Sequence, residues 1–510
     1  MSLGRPGVYV QETLSPLPSS AANTANAIAA FVGTATYGVS TPQLITSWAQ
    51  YNALYNGFGN TADLLPYSVY EFFNNGGQAC YVVRATASDA VAASLSLNDQ
   101  QMTPAALMTI TQKSVGTQGN ATYITINANP TAGYFDLLIA AGSTSNVVER
   151  YIGVSLNPAD PQYLLALVNS PISGSQTVTV TYTSAVSPWT TAQTPAAQSN
   201  TPLTGGANGT TGNINLVTTA EQLASIQGII NLNLPGVTTV ATVNALTAWA
   251  AGLGNVFLVV DCPQASTTYA STVAAYEALA PNAESGTPYT QTSYAAMYGP
   301  WLICSDPSAL AAGAVRTLPP GGAVLGQYAA IDLAQGPYQV PAGVGTTLSG
   351  PVGVDTTFLA SDLDALQNDG VNIIRQVPSY GFCIMGARTL TYGMPSRYIN
   401  IRRTLMYIEN TLEQQLQFAL FQPNNSTLWS KITAVVTQQL QSMMQAGYFA
   451  SKSASTAFFV TCDSSNNTPT NQATGVVNVT VGVALSAPAE YVVIDIGLTQ
   501  EATTVTSTLT

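Results

Sequence analysis

The sequence changes its hydrophobic period twice along the chain, and that change constrains the fold more than any other feature. Residues 25–90 and 213–370 combine short, continuous apolar runs with helix-spaced segments. Asn255-Val256-Phe257-Leu258-Val259-Val260-Asp261 is the kind of run that a strand buried on both faces requires. Ile28 to Tyr37, Cys80 to Arg84 and Ala295 to Cys304 also read as strands. Ala62 to Asn75 reads as a helix with Leu64, Leu65, Val69, Phe72 and Phe73 on its apolar side and Gly76-Gly77 as its stop, and Thr267 to Ala280 reads as another. Residues 95–212 break this pattern. They are rich in Thr, Ser, Ala and Asn and alternate with period two in Tyr123-Ile124-Thr125-Ile126, Val147 to Leu156 and Thr177 to Tyr182. The prediction is one α/β domain, residues 25–94 plus 213–370, with an all-β module inserted at 95–212. Gly205-Gly206-Ala207-Asn208-Gly209 closes the insert and reads as a linker rather than a phosphate loop.

The two ends follow other patterns. Residues 371–498 are predicted to form a C-terminal α+β domain. Arg397 to Phe421 carries Ile401, Leu405, Ile408, Leu412, Leu416 and Ala419 at helical spacing, and Pro423-Asn424-Asn425 ends it. Ser426 is placed to cap a second helix bearing Trp429, Ile432, Val436, Leu440 and Met443, with Gly447 as its stop. Strands are predicted at Ala457 to Cys462, Val476 to Leu485 and Tyr491 to Leu498. Residues 1–24 read as an arm: Pro6-Gly7-Val8-Tyr9-Val10-Gln11-Glu12 alternates like a short strand, and Pro16, Pro18 and a Ser/Ala/Asn stretch follow as linker. Residues 499–510, rich in Thr and Val, read as a second arm. A lone terminal strand either pairs within its own molecule or adds to a neighbour's sheet edge.

Composition narrows the function. Charged residues make up only 7 %, against about 25 % in ordinary globular proteins. Either a neutral polar surface or a surface hidden against other copies accounts for that. The net charge is −12 and there are three lysines, so the clustered cations that nucleic acid requires are missing. Between Arg375 and Lys452 the balance reverses, with seven basic residues against Glu409 and Glu413. That stretch reads either as a solvated face of ion pairs or as a basic strip for an acidic partner. The chain has no histidine, which removes the Ser-His-Asp and Cys-His systems and HExxH zinc sites. It has no Walker loop, GxSxG or GxGxxG. Two carboxylates would suffice for a glycosidase, but Asp362 and Asp364 read as an ordinary helix start. No enzymatic activity, cofactor or metal is expected. Cys80, Cys262, Cys304, Cys383 and Cys462 form no CxxC pair and read as small buried hydrophobes. Neither a secretory signal nor a membrane span is expected, so assembly is expected in a bacterial cytoplasm.

Four stretches, in this order along the chain, resemble the contractile tail sheath proteins of phages, tailocins and related injection machines. They are Arg5-Pro6-Gly7-Val8-Tyr9-Val10-Gln11-Glu12; Phe72-Phe73-Asn74-Asn75-Gly76-Gly77 leading into Cys80-Tyr81-Val82-Val83-Arg84; Pro319-Pro320-Gly321-Gly322 through Asp332, with Gly336 and Pro341-Ala342-Gly343; and Gly386-Ala387-Arg388-Thr389-Leu390 continuing to Arg397-Tyr398-Ile399-Asn400-Ile401-Arg402-Arg403, then Phe421-Gln422-Pro423-Asn424. Gly321 and the Gly336-Pro337-Tyr338 loop depart from the family pattern in detail. The insert has no such likeness. The resemblance implies a non-enzymatic virion-tail protein that polymerises into a helical sheath and contracts. It implies arms that complete the C-terminal domain of neighbours, here Val8, Tyr9, Val10, Val492, Val493 and Ile494. It implies a tube-facing helix, with Arg397, Arg402, Arg403, Glu409 and Glu413 as contacts. The implied partners are further copies of the chain, an inner tail tube protein, and baseplate and tail terminator proteins, with no nucleic acid or membrane bound directly. A non-contractile surface-layer or capsid-type polymer, or a sheath whose insert binds or degrades glycans, is the alternative expectation.

Overall fold

The continuous apolar runs become the middle of an eight-stranded sheet in the computed structural model, which describes residues 27–182, 194–281, 288–392 and 396–490. Across the sheet the order is Gly381–Ile384, Val371–Val377, Ala295–Gly299, Val256–Asp261, Ile229–Asn233, Ala27–Gly33, Cys80–Arg84 and Gln43–Ile45. The inner pairings are parallel and both edge strands are antiparallel. Ile229–Asn233, Val256–Asp261 and Ala295–Gly299 are buried at every position. Successive side chains point to opposite faces, so Leu258 and Val260 pack with the helix Val240–Leu253 through Val243, Leu246 and Ala250. Phe257 and Val259 enter the opposite core, which contains Phe72, Tyr328, Met406 and Trp429.

Two predicted boundaries need correction. Residues 371–384, assigned above to the C-terminal domain, add two strands to the large sheet, because Val371–Val377 pairs with Ala295–Gly299. The Ala295 to Cys304 strand is two strands. Leu302–Ser305 belongs instead to a separate antiparallel sheet with Val315–Leu318 and Pro351–Val354. Pro300, which lacks a backbone N–H to continue a ladder, lies between the two.

On the sheet face that receives Phe257, the helices Leu65–Asn74 and Gly321–Ala334 cross closely. A Cβ at Gly322 would lie 2.3 Å from the Ser68 carbonyl oxygen and one at Gly326 would lie 2.6 Å from that of Phe72, which explains these two glycines of the third motif. Asp261 ends its strand beneath this helix. Its carboxylate accepts from the Gly321 and Gly236 N–H groups at 2.7 and 2.9 Å and from Asn233 Nδ2 at 3.1 Å. Burial outweighs these three donors and pushes its pKa up to about 6.

The insert is built from two antiparallel sheets. One orders Gln198–Pro202, Thr122–Ala128, Tyr134–Ala141 and Val147–Ser155; the other orders Ala92–Asn98, Ala106–Val115 and Val178–Tyr182. Leu97, Ile110, Ile124, Leu137, Val154 and Val180 share one core between them. Arg84 fastens the insert to the α/β body. Its guanidinium donates to the Ala35 and Gly38 carbonyls at 2.8 and 3.0 Å, and to Ser114 Oγ and the Val115 carbonyl at 2.9 Å each. The glycine cluster folds back on the insert, with Gly206 N–H donating to Asn120 Oδ1 at 2.9 Å. All five cysteines are free and buried.

Candidate assembly surface

The C-terminal quarter is built around two helices, Ile399–Gln415 and Ser426–Gln445. Asn425 caps the second helix, rather than Ser426: its Oδ1 accepts from the Thr427 and Leu428 N–H groups at 3.1 Å each. Trp429, Ile432, Val436, Leu440 and Met443 are buried, as their spacing predicts, and Leu428 is buried with them. Asn424, the last residue of the fourth motif, accepts from Trp429 Nε1 at 2.8 Å and donates to the Val476 carbonyl at 3.0 Å. It thereby ties the helical turn to the chain entering the last described strand.

The expected tube-facing residues separate into two groups. Arg402 and Arg403 point inward, and reading them as outward contacts is corrected here. Arg402 is 3 % exposed, donates to Ser293 Oγ at 2.9 Å and lies over the Tyr294 ring at 4.4 Å. Arg403 is 2 % exposed, pairs with buried Asp332 and lies 4.3 Å from the centroid of Tyr328, whose hydroxyl meets that of Tyr298 at 2.6 Å. The first turns of this helix are buried against Ser293 and Tyr294 on one side and the helix Gly321–Ala334 on another, which encloses both cations. Arg397 and Glu409 are half-buried and Glu413 is exposed. Two of the seven basic residues in the Arg375–Lys452 stretch, Arg388 and Arg403, find counter-ions outside it in Glu490 and Asp332, while Arg375, Lys431 and Lys452 are exposed. Nothing in the local sequence signals these partners. Val8, Tyr9, Val10, Val492, Val493 and Ile494 lie outside the described residues.

Beyond the helices, Phe458–Thr461 and Thr480–Val483 pair antiparallel in a sheet of only two strands among the described residues. Val477, Val479, Val481, Val483 and Leu485 pack against the core on one side and stay half-buried, and Phe459 is 43 % exposed. An isolated strand pair is marginal in water, and an open strand edge presents unpaired N–H and C=O groups. An open groove of about 450 Å³ runs between the second helix and this pair, walled by Ser430, Thr433 and Thr437 on one side and Val460, Cys462 and Asp463 on the other. Among the described residues no His, Cys, Asp and Glu side chains cluster in metal-binding fashion, and no helix is long and apolar enough to cross a membrane.

Residues 394–499, which span these helices and strands, match the family model for the phage tail sheath C-terminal domain. That match places a phage tail sheath C-terminal domain within this chain. Solved chains of contractile machines share its fold. A chain of the anti-feeding prophage baseplate is 20 % identical over 98 % of this chain and 100 % of that one, with a TM-score of 0.56. The contracted sheath of the extracellular contractile injection system PVC is 21 % identical over 98 % of this chain and 99 % of that one, with a TM-score of 0.55. A sheath tail protein from Listeria innocua is 12 % identical over 88 % and 90 %, with a TM-score of 0.60. At these identities the likeness is one of fold. No curated protein matches this chain.

Proposed function

We propose that the chain is the structural subunit of a contractile tail sheath. Copies polymerise into a helix around an inner tail tube, and the sheath shortens to drive that tube through a host envelope. The observation that carries this reading is the unfinished two-stranded sheet, with a row of half-covered valines and an open edge. Strand-like sequence at both chain ends, around Val8-Tyr9-Val10 and Val492-Val493-Ile494, supplies what that sheet lacks. An arm from one copy adds its backbone to the sheet of the next, and main-chain hydrogen bonds hold while the globular bodies reorient. Head-to-tail contacts of this kind that do not close into a ring propagate as a helix.

The inner tube lies against the outward side of the helix Ile399–Gln415, with Glu413, Glu409 and Arg397 as its polar contacts. Weak, salt-sensitive contacts suit a surface that must let go along the whole tail. Baseplate and tail terminator proteins hold the two ends, and the assembled particle is a virion tail or a related injection machine. The mechanism is conformational, and no side chain is assigned a catalytic role.

Deleting residues 1–20 tests the reading. The truncated chain should keep its far-UV circular dichroism and melting temperature and form no tubes by negative-stain microscopy. Normal tubes from that variant would overturn the exchanged-arm reading.

A further inference from the structure

Strand exchange does not explain the Gly386-Ala387-Arg388-Thr389-Leu390 motif. This segment leaves the edge of the eight-stranded sheet and lies against the strand Val371–Val377. A Cβ at Gly386 would sit 2.8 Å from the Asn372 Cα, so this approach requires glycine. Asn372, fully buried, grips the backbone of Arg388 twice. Its Oδ1 accepts from the Arg388 N–H at 2.7 Å, and its Nδ2 donates to the Arg388 carbonyl at 2.8 Å.

With its backbone held, Arg388 directs its guanidinium to the end of the described chain. It donates to the Gln367 carbonyl at 2.7 Å and to both carboxylate oxygens of Glu490 at 2.9 and 2.6 Å. The Arg388 and Glu490 side chains are 5 % and 18 % exposed, so solvent screens the pair little. Bidentate guanidinium–carboxylate pairs combine strength with fixed direction. Four residues earlier, Asn400 Nδ2 donates to the Ser486 carbonyl at 3.0 Å. The chain is thus pinned at Ser486 and again at Glu490, and residues 491–510 follow directly.

We propose that the Arg388–Glu490 pair is a root clasp. It fixes the point and direction from which the C-terminal arm leaves the α/β body, and thereby sets whether the arm reaches a second copy of this chain. The inference rests on the exchanged-arm reading above. Opening the clasp moves the fixed root back to Ser486. That adds slack of roughly 13 Å of extended chain and dilutes the arm at its acceptor sheet.

The test uses the full chain carrying Glu490→Ala, with Glu490→Asp as the conservative variant. Any monomer melting loss should be clearly smaller than the assembly loss, because Arg388 keeps its bonds to the Gln367 carbonyl and Asn368 Oδ1. Hydrogen exchange at residues 486–490 should accelerate, and the critical concentration for tube formation should rise about tenfold, the scale set by losing a hydrogen-bonded charge contact. Glu490→Asp should recover part of the loss. Wild-type tube formation by Glu490→Ala, unchanged exchange at 486–490, or a melting loss as large as the assembly loss would each overturn the clasp. A chain ending at Glu490 separates the two levels. If it still forms tubes, C-terminal strand donation is wrong. If it forms none while Glu490→Ala assembles normally, only the clasp is wrong.

Discussion

The eight-stranded sheet and the two-stranded sheet are made of similar residues and end in different conditions. Val256–Asp261 is buried at all positions, with helices on both faces and a strand along each edge. Its counterpart Phe458–Thr461, Phe-Phe-Val-Thr, is comparably apolar, yet its residues are half-buried or exposed. The difference lies in cover rather than composition. One chain supplies every strand and helix that the first sheet needs. Among the described residues the second sheet has its inner face on the core and its remaining surface and edge open. A β-rich element left in that state either aggregates or has a designated partner, and the partner proposed above is another copy of the chain.

This contrast has measurable consequences. The largest is expected where the chain completes itself: Phe257→Ala, between the sheet and the helix Gly321–Ala334, should cost about 3–5 kcal/mol in monomer denaturation. Removing one member of the buried ion pair, with Asp332→Ala leaving Arg403 uncompensated, should cost a similar ~3–5 kcal/mol. Replacing both by apolar residues, Asp332→Leu with Arg403→Met, should recover most of that. A loss below about 1 kcal/mol for Asp332→Ala would show that the joint between the C-terminal helices and the α/β body is looser than its burial suggests.

Next in size is the response to pH, which should belong to the large sheet and its helices. Burial pushes the Asp261 carboxyl up to about 6 from 3.8, and that of Glu71 up to about 7 from 4.5. Both bind a proton more tightly folded than unfolded. The stability they contribute is therefore whole below about pH 4 and is lost as pH rises through 6 to 7, on the order of 3 kcal/mol per carboxyl. Asp261→Asn and Glu71→Gln should each flatten that slope in monomer unfolding between pH 4 and 8; an unchanged slope would assign it to other groups. The smallest monomer effect is expected in the open sheet. Val481→Ala should cost about 1 kcal/mol or less and yet slow or weaken tube formation visibly by light scattering. Equal and small effects on monomer and polymer would remove the distinction between the two sheets.

Most of the large sheet was legible because its strands announce themselves locally. Val256-Phe257-Leu258-Val259-Val260 is unbroken, and Cys80 to Arg84 follows a clear Gly-Gly stop. The place of Val371–Val377 was not legible. Its pairing with Ala295–Gly299 joins residues more than seventy positions apart, and the helices that follow it pointed to a separate domain. In the helix Ile399–Gln415 the expected Ile401, Ile408 and Leu412 are buried, but Leu405 is half-buried and Arg402 and Arg403, expected outside, are enclosed. The spacing of Ile401, Leu405 and Ile408 reveals one buried side. It cannot reveal that the N-terminal turns are enclosed on nearly all sides, or that Asp332 waits 71 residues away. The glycines of the motifs were visible, but not the close contacts that require them.

The most direct measurement is a high-resolution density map of the assembled tubes, with each chain traced to both of its ends. The account expects Phe458–Thr461 to be paired along its second edge, in a sheet of more than two strands whose added strands trace back to the first and last residues of neighbouring subunits. A tube in which both ends of every chain fold onto their own subunit, leaving that edge unpaired, would contradict it.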